Sequence, residues 1–443
     1  MRKVLIITYY FPPAGGAGVQ RTLKFIKYLH EFGWQPVVLT ADRADYPAYD
    51  ESLAAEVPPE VRVYRASLFE PYRFYRRFTG RPAAESTDIA VLSLDENRKQ
   101  KWTERVSEFI RAAFFIPDAR IGWLRPAVRL GRKIIEQEGI EAILSSAPPY
   151  TTHLIGRRLQ RSSKLPWIAD FRDSWIGWLS APQWRPAFSR AIERRMEARV
   201  LAQADRILCV TRGVQEDLLS RHPSCRDERW HYLPNGYDAA DFKGIRPATR
   251  DRRIVLTYTG SMYGHRNPSG LLRAMEEMLR RDPRLEKRLT VRLVGRVGEA
   301  IWREISASPA AGLFQQLPYV THAESLGYLL VSDAALLIID EAPANRGIVT
   351  GKFFEYLGAR LPIVALAPEG EAADLIRRHR LGWVARTDDI PAIIAILERL
   401  IERGKKKKIR IAEKQLLQFE RRQQTKNLTA LLDELIDERN MKI

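Results

Sequence analysis

Apolar and polar positions along the chain alternate between two rhythms. Lys3–Tyr10 is a nearly continuous apolar run, the pattern of a strand covered on both faces. A Gly-rich turn follows, and Val19–Phe32 then carries apolar residues at helical spacing. Gly33 ends that helix and Gln35–Thr40 reads as the next strand, so the opening is one βαβ unit and predicts a parallel sheet. The pattern breaks from Leu68 to Arg120, where Phe69, Tyr72, Phe74, Tyr75 and Phe78 stand among Arg73, Arg76, Arg77 and Arg81. It resumes with strand candidates at Ala142–Ser146, Trp167–Phe171 and Arg206–Thr211. Leu233-Pro-Asn-Gly-Tyr-Asp238 has strong turn signals, and the polar, basic stretch Lys243–Arg253 reads as a linker. A second series starts afresh, with strand candidates at Ile254–Thr259, Thr290–Val294, Ala335–Ile339, Pro362–Leu366 and Gly382–Ala385. The expectation is an α/β fold of two Rossmann-like parallel-sheet domains, 1–245 and 246–410. Charged helices at 411–443 would follow them.

Composition narrows this picture without redirecting it. The 443 residues exceed what one core ordinarily serves. An apolar fraction of 45% and a charged fraction of 28% are ordinary globular values. Cys209 and Cys225 are the only cysteines, which excludes a disulfide scaffold and suits a reducing cytoplasm. The N-terminal apolar run is too short to span a bilayer, and Pro12-Pro13 follows it where a leader would carry small residues. A net charge of +18 predicts attraction to phosphate. No nucleic-acid motif accompanies that charge, so nucleic acid is not an expected partner.

Four places carry residues suited to chemistry. Pro12-Pro-Ala-Gly-Gly-Ala-Gly-Val19 joins the first strand to the first helix; it is either a plain tight turn or a loop whose backbone N–H groups meet a ligand. Asp170-Phe-Arg-Asp-Ser-Trp175 sits at the carboxyl end of a strand, where open α/β sheets bind ligands; an internal Asp–Arg pair is the alternative. Tyr258-Thr-Gly-Ser-Met-Tyr-Gly-His-Arg-Asn267 mirrors the first loop in the second domain. There Arg266 and a helix start can converge on one anion, with His265 a side chain to watch. Arg346-Gly-Ile-Val-Thr-Gly-Lys-Phe-Phe-Glu-Tyr-Leu357 leads into a helix with Lys352 at its start and Glu355 one turn later. A cation there is unfavourable unless an anion binds, and Glu355 can accept from two ribose hydroxyls; an exposed ion pair is the alternative. The seven histidines show no metal spacing and no Asp-x-Asp pair occurs, so neither metal nor cofactor is expected.

Together these segments resemble glycosyltransferase family 4, the retaining family with the GT-B fold. Thr350-Gly-Lys-Phe-Phe-Glu-Tyr-Leu-Gly-Ala-Arg-Leu-Pro-Ile-Val364 is similar to its donor-binding helix and following strand. Tyr258-Thr-Gly-Ser261, Leu293-Val-Gly295, Leu233-Pro-Asn-Gly-Tyr-Asp238 and Pro12-Pro-Ala-Gly-Gly16 match in order and spacing. The resemblance implies two domains facing a central cleft, acceptor on the first and nucleotide-sugar on the second, with the helices of 411–443 crossing back to the first domain. It puts Arg266 and Lys352 on the donor diphosphate, Glu355 on the ribose, and Gly15, Gly16, Gly260, Ser261, Arg346 and Gly351 around the donor. Asp173 joins Arg266 and Lys352 as a catalytic expectation, with Arg172 and Asp170 toward the acceptor. Two positions depart from the family pattern: Gly347 stands where many members have a first Glu, and Ser261 where many have Arg.

The implied activity is retaining transfer of a hexose from a nucleoside-diphosphate sugar to a saccharide or lipid-linked acceptor, in cell-envelope or exopolysaccharide synthesis. A GT-B epimerase and a non-catalytic basic scaffold are the rival readings. Glu70–Arg81, and a predicted helix with Arg125, Arg129, Arg132 and Lys133 beside Trp123 and Leu124, suggest an anionic membrane surface as partner. That places the protein in the cytoplasm, peripheral on the inner face of the plasma membrane.

Overall fold

A computed structural model describes residues 1–42, 44, 46, 49–68, 113, 115–176, 185–264, 266–404 and 412–441. Glu70–Arg81 and His265 lie outside the described residues. The chain forms two units, Met1–Pro234 with Arg422–Ile443, and Asn235–Arg421.

The first unit holds a seven-stranded sheet. Its strands are β1 (Arg2–Ile7), β2 (Trp34–Ala41), β3 (Arg62–Ala66), β4 (Ala142–Ala147), β5 (Trp167–Phe171), β6 (Arg206–Cys209) and β7 (Trp230–Tyr232). They run in the order β3-β2-β1-β4-β5-β6-β7, every pairing parallel. Alternate residues serve opposite faces. Leu5, Ile7, Val37, Leu39 and Ile143 pack with α2 (Leu124–Glu138) and α3 (Thr151–Ser163), while Val4, Ile6, Val38 and Leu144 pack with α1 (Ala17–Tyr28). Trp34, Trp123 and Trp167 are fully buried. Each such side chain contributes ~1.5–3 kcal/mol or more by leaving water. The same core takes Val200 and Leu201 from α4 (Ala187–Gln203) and Val214 and Leu218 from α5 (Arg212–Arg221).

Trp123 and Leu124 correct the expected membrane face. Both are buried in the core, so they give the basic side of α2 no apolar border. Arg125, Arg129, Arg132 and Lys133 remain exposed on that helix.

The second unit repeats the plan with six strands: β8 (Ile254–Thr259), β9 (Leu289–Val294), β10 (Phe314–Leu317), β11 (Ala334–Ile338), β12 (Ile363–Leu366) and β13 (Gly382–Ala385). Their order, β10-β9-β8-β11-β12-β13, is parallel throughout and reverses direction between β8 and β11. One face packs α6 (Ser269–Arg281), α7 (Glu299–Ala307) and, across the sheet's far side in sequence, α11 (Ile390–Arg403). The other packs α8 (His322–Leu330), α9 (Gly351–Gly358), α10 (Glu371–Arg378) and α12 (Glu413–Leu417).

The division falls at Pro234, ahead of the basic stretch Lys243–Arg253. Tyr237 explains it: its N–H donates to Phe419 O at 2.9 Å, its own carbonyl accepts from Arg421 N–H at 2.9 Å, and its ring joins the second unit's core. The last helix, α13 (Arg421–Asn440), returns to the first unit. Leu428, Leu432, Leu435 and Ile436 pack beside Val4, Ile6 and Leu144. Asp433 accepts from Arg2 at 2.7 Å and from the Trp34 indole at 3.0 Å. Among the described residues no helix is long and apolar enough to cross a membrane.

Candidate active site

Open parallel sheets bind ligands beyond the carboxyl ends of their strands, at the point where strand order reverses. In the second unit that point lies between β8 and β11. The loops leaving these two strands hold most of the donor residues expected from sequence. Gly260 follows β8 with φ +95, a conformation that disfavours any Cβ; one placed there would lie 2.7 Å from Lys352 Cε. Gly295, at the end of β9, comes equally close: a Cβ on it would lie 2.6 Å from Gly260 O. The glycine loop is therefore a seat into which the Lys352 side chain folds.

Lys352 occupies the first turn of α9 and is half-buried. Its ammonium donates to Tyr258 Oη at 2.6 Å, and the Tyr258 hydroxyl donates to Ser261 O at 2.8 Å. Lost hydration, and then the charge of Arg266, pull the ammonium down to about 7 against the opposing attraction of Glu355. Arg266 approaches Asp340, beyond the end of β11, at 3.8 Å, so this pair spans the switch point. Glu355, one turn along α9, faces His322 at the start of α8, 3.3 Å from Nε2. Gly351 begins α9, and Arg346 is exposed on the turn Pro343–Gly347. That turn is held by Asn345 Nδ2, which donates to Asp340 O at 3.2 Å; Asn345 Oδ1 is buried without a partner. The sheet edge thus gathers Gly260, Ser261, Arg266, Lys352 and Glu355, with two cations close enough for one to depress the other. A dianionic group set between them would relieve that repulsion.

The first unit reverses its strand order between β1 and β4, and its expected residues converge there too. Gly15 is buried; Gly16 is exposed and caps α1. Arg172, just past β5, donates through Nε to Ala147 O at 3.2 Å and through its terminal nitrogens to Gly18 O and Pro148 O. All three hydrogen-bonding nitrogens therefore hold backbone at the switch point, and the guanidinium is a brace for the two loops. Asp170 has no exposed surface, and its oxygens accept from Arg21 (2.7 Å) and Ser146 (2.7 Å). Burial alone would raise its pKa, but Arg21 outweighs it and holds the carboxyl below its ordinary value. Asp170 is thus a buried ion-pair partner, and the expectation that it meets an acceptor gives way. Asp173 differs: it is half-buried and makes no hydrogen bond or close ion pair among the described residues. Desolvation raises its pKa, opposed by Arg172.

Residues 15–236, half of the chain, match the family described as Glycosyl transferase 4-like domain. The chain belongs to this family. It is a glycosyltransferase, and the two Rossmann-like units are those of the GT-B fold. Among solved structures it is similar to a glycosyltransferase from Rickettsia africae (TM-score 0.63, 11% identity, 98% of each chain covered). It is also similar to TarM (TM-score 0.59, 10% identity, 98% of this chain and 99% of that one). A third likeness is to the apo form of the lipopolysaccharide outer core galactosyltransferase WaaB (TM-score 0.56, 11% identity, 98% and 99% covered). At such identities these likenesses concern the fold. No curated protein matches the chain.

Three residues of this glycosyltransferase escaped the sequence reading. Arg21 lies in an apolar helical stripe and nothing in its spacing marks it as a partner for Asp170. Asp340 and His322 each begin where a strand or loop ends, and only the sheet order brings them to Arg266 and Glu355.

Proposed function

We propose that this glycosyltransferase moves a hexose from a nucleoside-diphosphate sugar to a saccharide or lipid-linked acceptor, with retention at the anomeric carbon. We place the reaction in cell-envelope or exopolysaccharide synthesis on the cytoplasmic side of the membrane. One observation carries the reading: the Lys352 ammonium, brought down to about 7, sits beside Arg266 at the switch point, within the Gly260 loop. Such a site gains most when an anion arrives. In the proposed complex the donor diphosphate lies on Arg266, Lys352 and the α9 N-terminus, with backbone from Gly260, Ser261 and Gly351. Glu355 accepts from the ribose hydroxyls and Arg346 faces the transferred sugar. A TarM mutant from S. aureus was solved with fondaparinux, alpha-GlcNAc-glycerol and UDP, and that pairing supports this class of donor and acceptor.

The reaction breaks the bond from the anomeric carbon to the β-phosphate oxygen and forms one to the acceptor oxygen on the same face. The acceptor proton passes to the departing phosphate. Charge grows on that phosphate as the bond breaks, and fixed cations stabilise it without reorganisation. Removing one such group typically lowers rate by ~10²–10³. Asp173 of the first unit, which makes no hydrogen bond among the described residues, is assigned to accept a hydrogen bond from the acceptor hydroxyl and orient it.

Calorimetric titration with UDP-, GDP- and ADP-sugars tests the reading. One nucleotide should bind in the wild type and bind weakly in Lys352→Ala and Arg266→Ala, with both variants melting normally. Equal affinity in all three proteins would remove the diphosphate site. Conversion of the sugar-nucleotide without acceptor would favour epimerisation over transfer.

A further inference from the structure

The carboxylate of the second unit's sheet edge has a neighbour to which the proposed reaction gives no task. Glu355 and His322 meet at 3.3 Å, and their side chains are 31% and 26% exposed, so a ligand can reach both. A carboxylate has only acceptors, so the ring nitrogen facing it, Nε2, carries the proton and donates. Both partners are held by rigid elements. His322 is the first residue of α8, whose start is fixed by a reciprocal cap: Glu324 N–H donates to the Thr321 hydroxyl at 3.3 Å, and Thr321 N–H donates to the Glu324 carboxylate at 2.9 Å. Glu355 is carried by α9. Leu326 and Leu329 of α8 share one buried cluster with Phe353, Phe354 and Leu357 of α9, which fixes the two helices on the same face of the sheet.

Helical spacing alone would give Glu355 a different partner. Lys352 precedes it by three positions on α9, the separation at which an acid and a cation meet on a helix surface. The ammonium turns instead to Tyr258 Oη at 2.6 Å, and the carboxylate turns to His322. The two charges are thereby kept for separate tasks. A carboxylate drawn to Lys352 would cancel the cation that a diphosphate needs and would turn its own oxygens away from a ribose. A carboxylate released from both would have to give up rotamer freedom each time a ribose bound. The imidazole proton occupies one of roughly four acceptor positions on the carboxylate, which leaves enough for two hydroxyls.

We propose that His322 is a positioning residue for the donor: it holds the Glu355 carboxylate in the orientation that receives both ribose hydroxyls, and so sets how strictly the enzyme demands a ribonucleotide. The inference rests on the placement of the ribose at Glu355. His322 acts through that carboxylate and touches no reacting atom.

Titration calorimetry of the full chain with UDP, GDP and ADP, and with the dideoxyribose form of each, tests the proposal. The dideoxy form keeps base and diphosphate and lacks only the hydroxyls assigned to Glu355. The quantity read is the ratio of the two affinities for the base that binds best. Wild type should favour the ribonucleotide at least roughly tenfold, and Glu355→Ala should abolish the preference. His322→Ala should lower the ratio roughly fivefold. His322→Gln, whose amide N–H can replace the ring donor, should restore most of it. A histidine with a merely structural role would change the melting temperature, or both affinities together, and leave the ratio at its wild-type value. A wild-type ratio in His322→Ala would therefore overturn the proposal, and so would a glutamine variant no better than alanine. If Glu355→Ala also keeps the preference, the ribose lies elsewhere and the donor reading falls with the proposal. If Glu355→Ala loses it and His322→Ala does not, the donor reading stands and only the role of His322 is removed.

Discussion

Gly260 and Lys352 occupy adjoining space so closely that a single methyl group on residue 260 would lie 2.7 Å from the lysine Cε. The loop after β8 and the start of α9 are therefore one structure. The lysine reaches Tyr258 only because residue 260 has no side chain.

Gly260→Ala should displace Lys352 and strain the backbone at φ +95. The strain costs about 1–2 kcal/mol. The displaced cation lowers turnover roughly tenfold or more. Melting curves and initial rates on the same preparation separate the two effects: a variant that loses stability but keeps its rate would show that the loop does not position Lys352 for chemistry.

Lys352 titrates near 7 in the free protein, against an ordinary 10.5. Its folded pKa is depressed, so between these values the unfolded chain holds a proton that the folded chain lacks, and stability from this group rises with pH across that window. A bound diphosphate reverses the bias and raises the lysine's pKa. Nucleoside-diphosphate binding above pH 7 should therefore take up a proton and weaken as pH rises. Titration calorimetry in buffers of different ionisation enthalpy reads the uptake, and Lys352→Ala should abolish it.

Arg21 and Asp170 are 1% and 0% exposed. Removing one partner leaves the other charge buried and unpaired, which costs about 3–5 kcal/mol. Arg21→Ala and Asp170→Ala should each lower denaturant stability by that order. Since Arg21 also donates to Pro234 O at 2.9 Å, the arginine variant should suffer at least as much. Losses under roughly 1 kcal/mol, the range of exposed pairs, would show that the pair is solvated.

Glu355→Ala should weaken nucleotide-sugar binding by ~1.5–3 kcal/mol, the worth of hydrogen bonds to a charged group. Glu355→Gln, which keeps one acceptor oxygen, should fall between. Binding by the alanine variant as tight as that of the parent would move the ribose elsewhere.

Much of the fold was legible because central parallel strands are buried on both faces. Leu5, Ile7, Leu256 and Val364 sit in apolar runs that no other element explains. The strands that sequence did not reveal, β3, β7 and β10, are edge strands. Each has one neighbour and partial exposure, so Arg62–Ala66 and Phe314–Leu317 mix charged or amide side chains with apolar ones. The candidate site divides in the same way. That Gly260, Gly351, Lys352 and Glu355 stand where a strand or loop leads into a helix was legible, because such a loop constrains its residue types. The function of Asp170 was not, since a carboxylate at a strand end has the same sequence signature whether it meets a ligand or an arginine from a helix 149 positions away.

The return of α13 to the first sheet has a consequence for the order in which the protein can be made. Topologically, the second unit is an insertion within the first. Val4, Ile6, Val38 and Leu144 leave the ribosome early, yet Leu428, Leu432 and Ile436, which pack beside them, are synthesised after the whole of the second unit. Domains ordinarily fold as they emerge, N-terminal first. Here the first to appear is the last to be completed, and the part of its sheet that α13 covers must wait, apolar side out, while a complete neighbour is built.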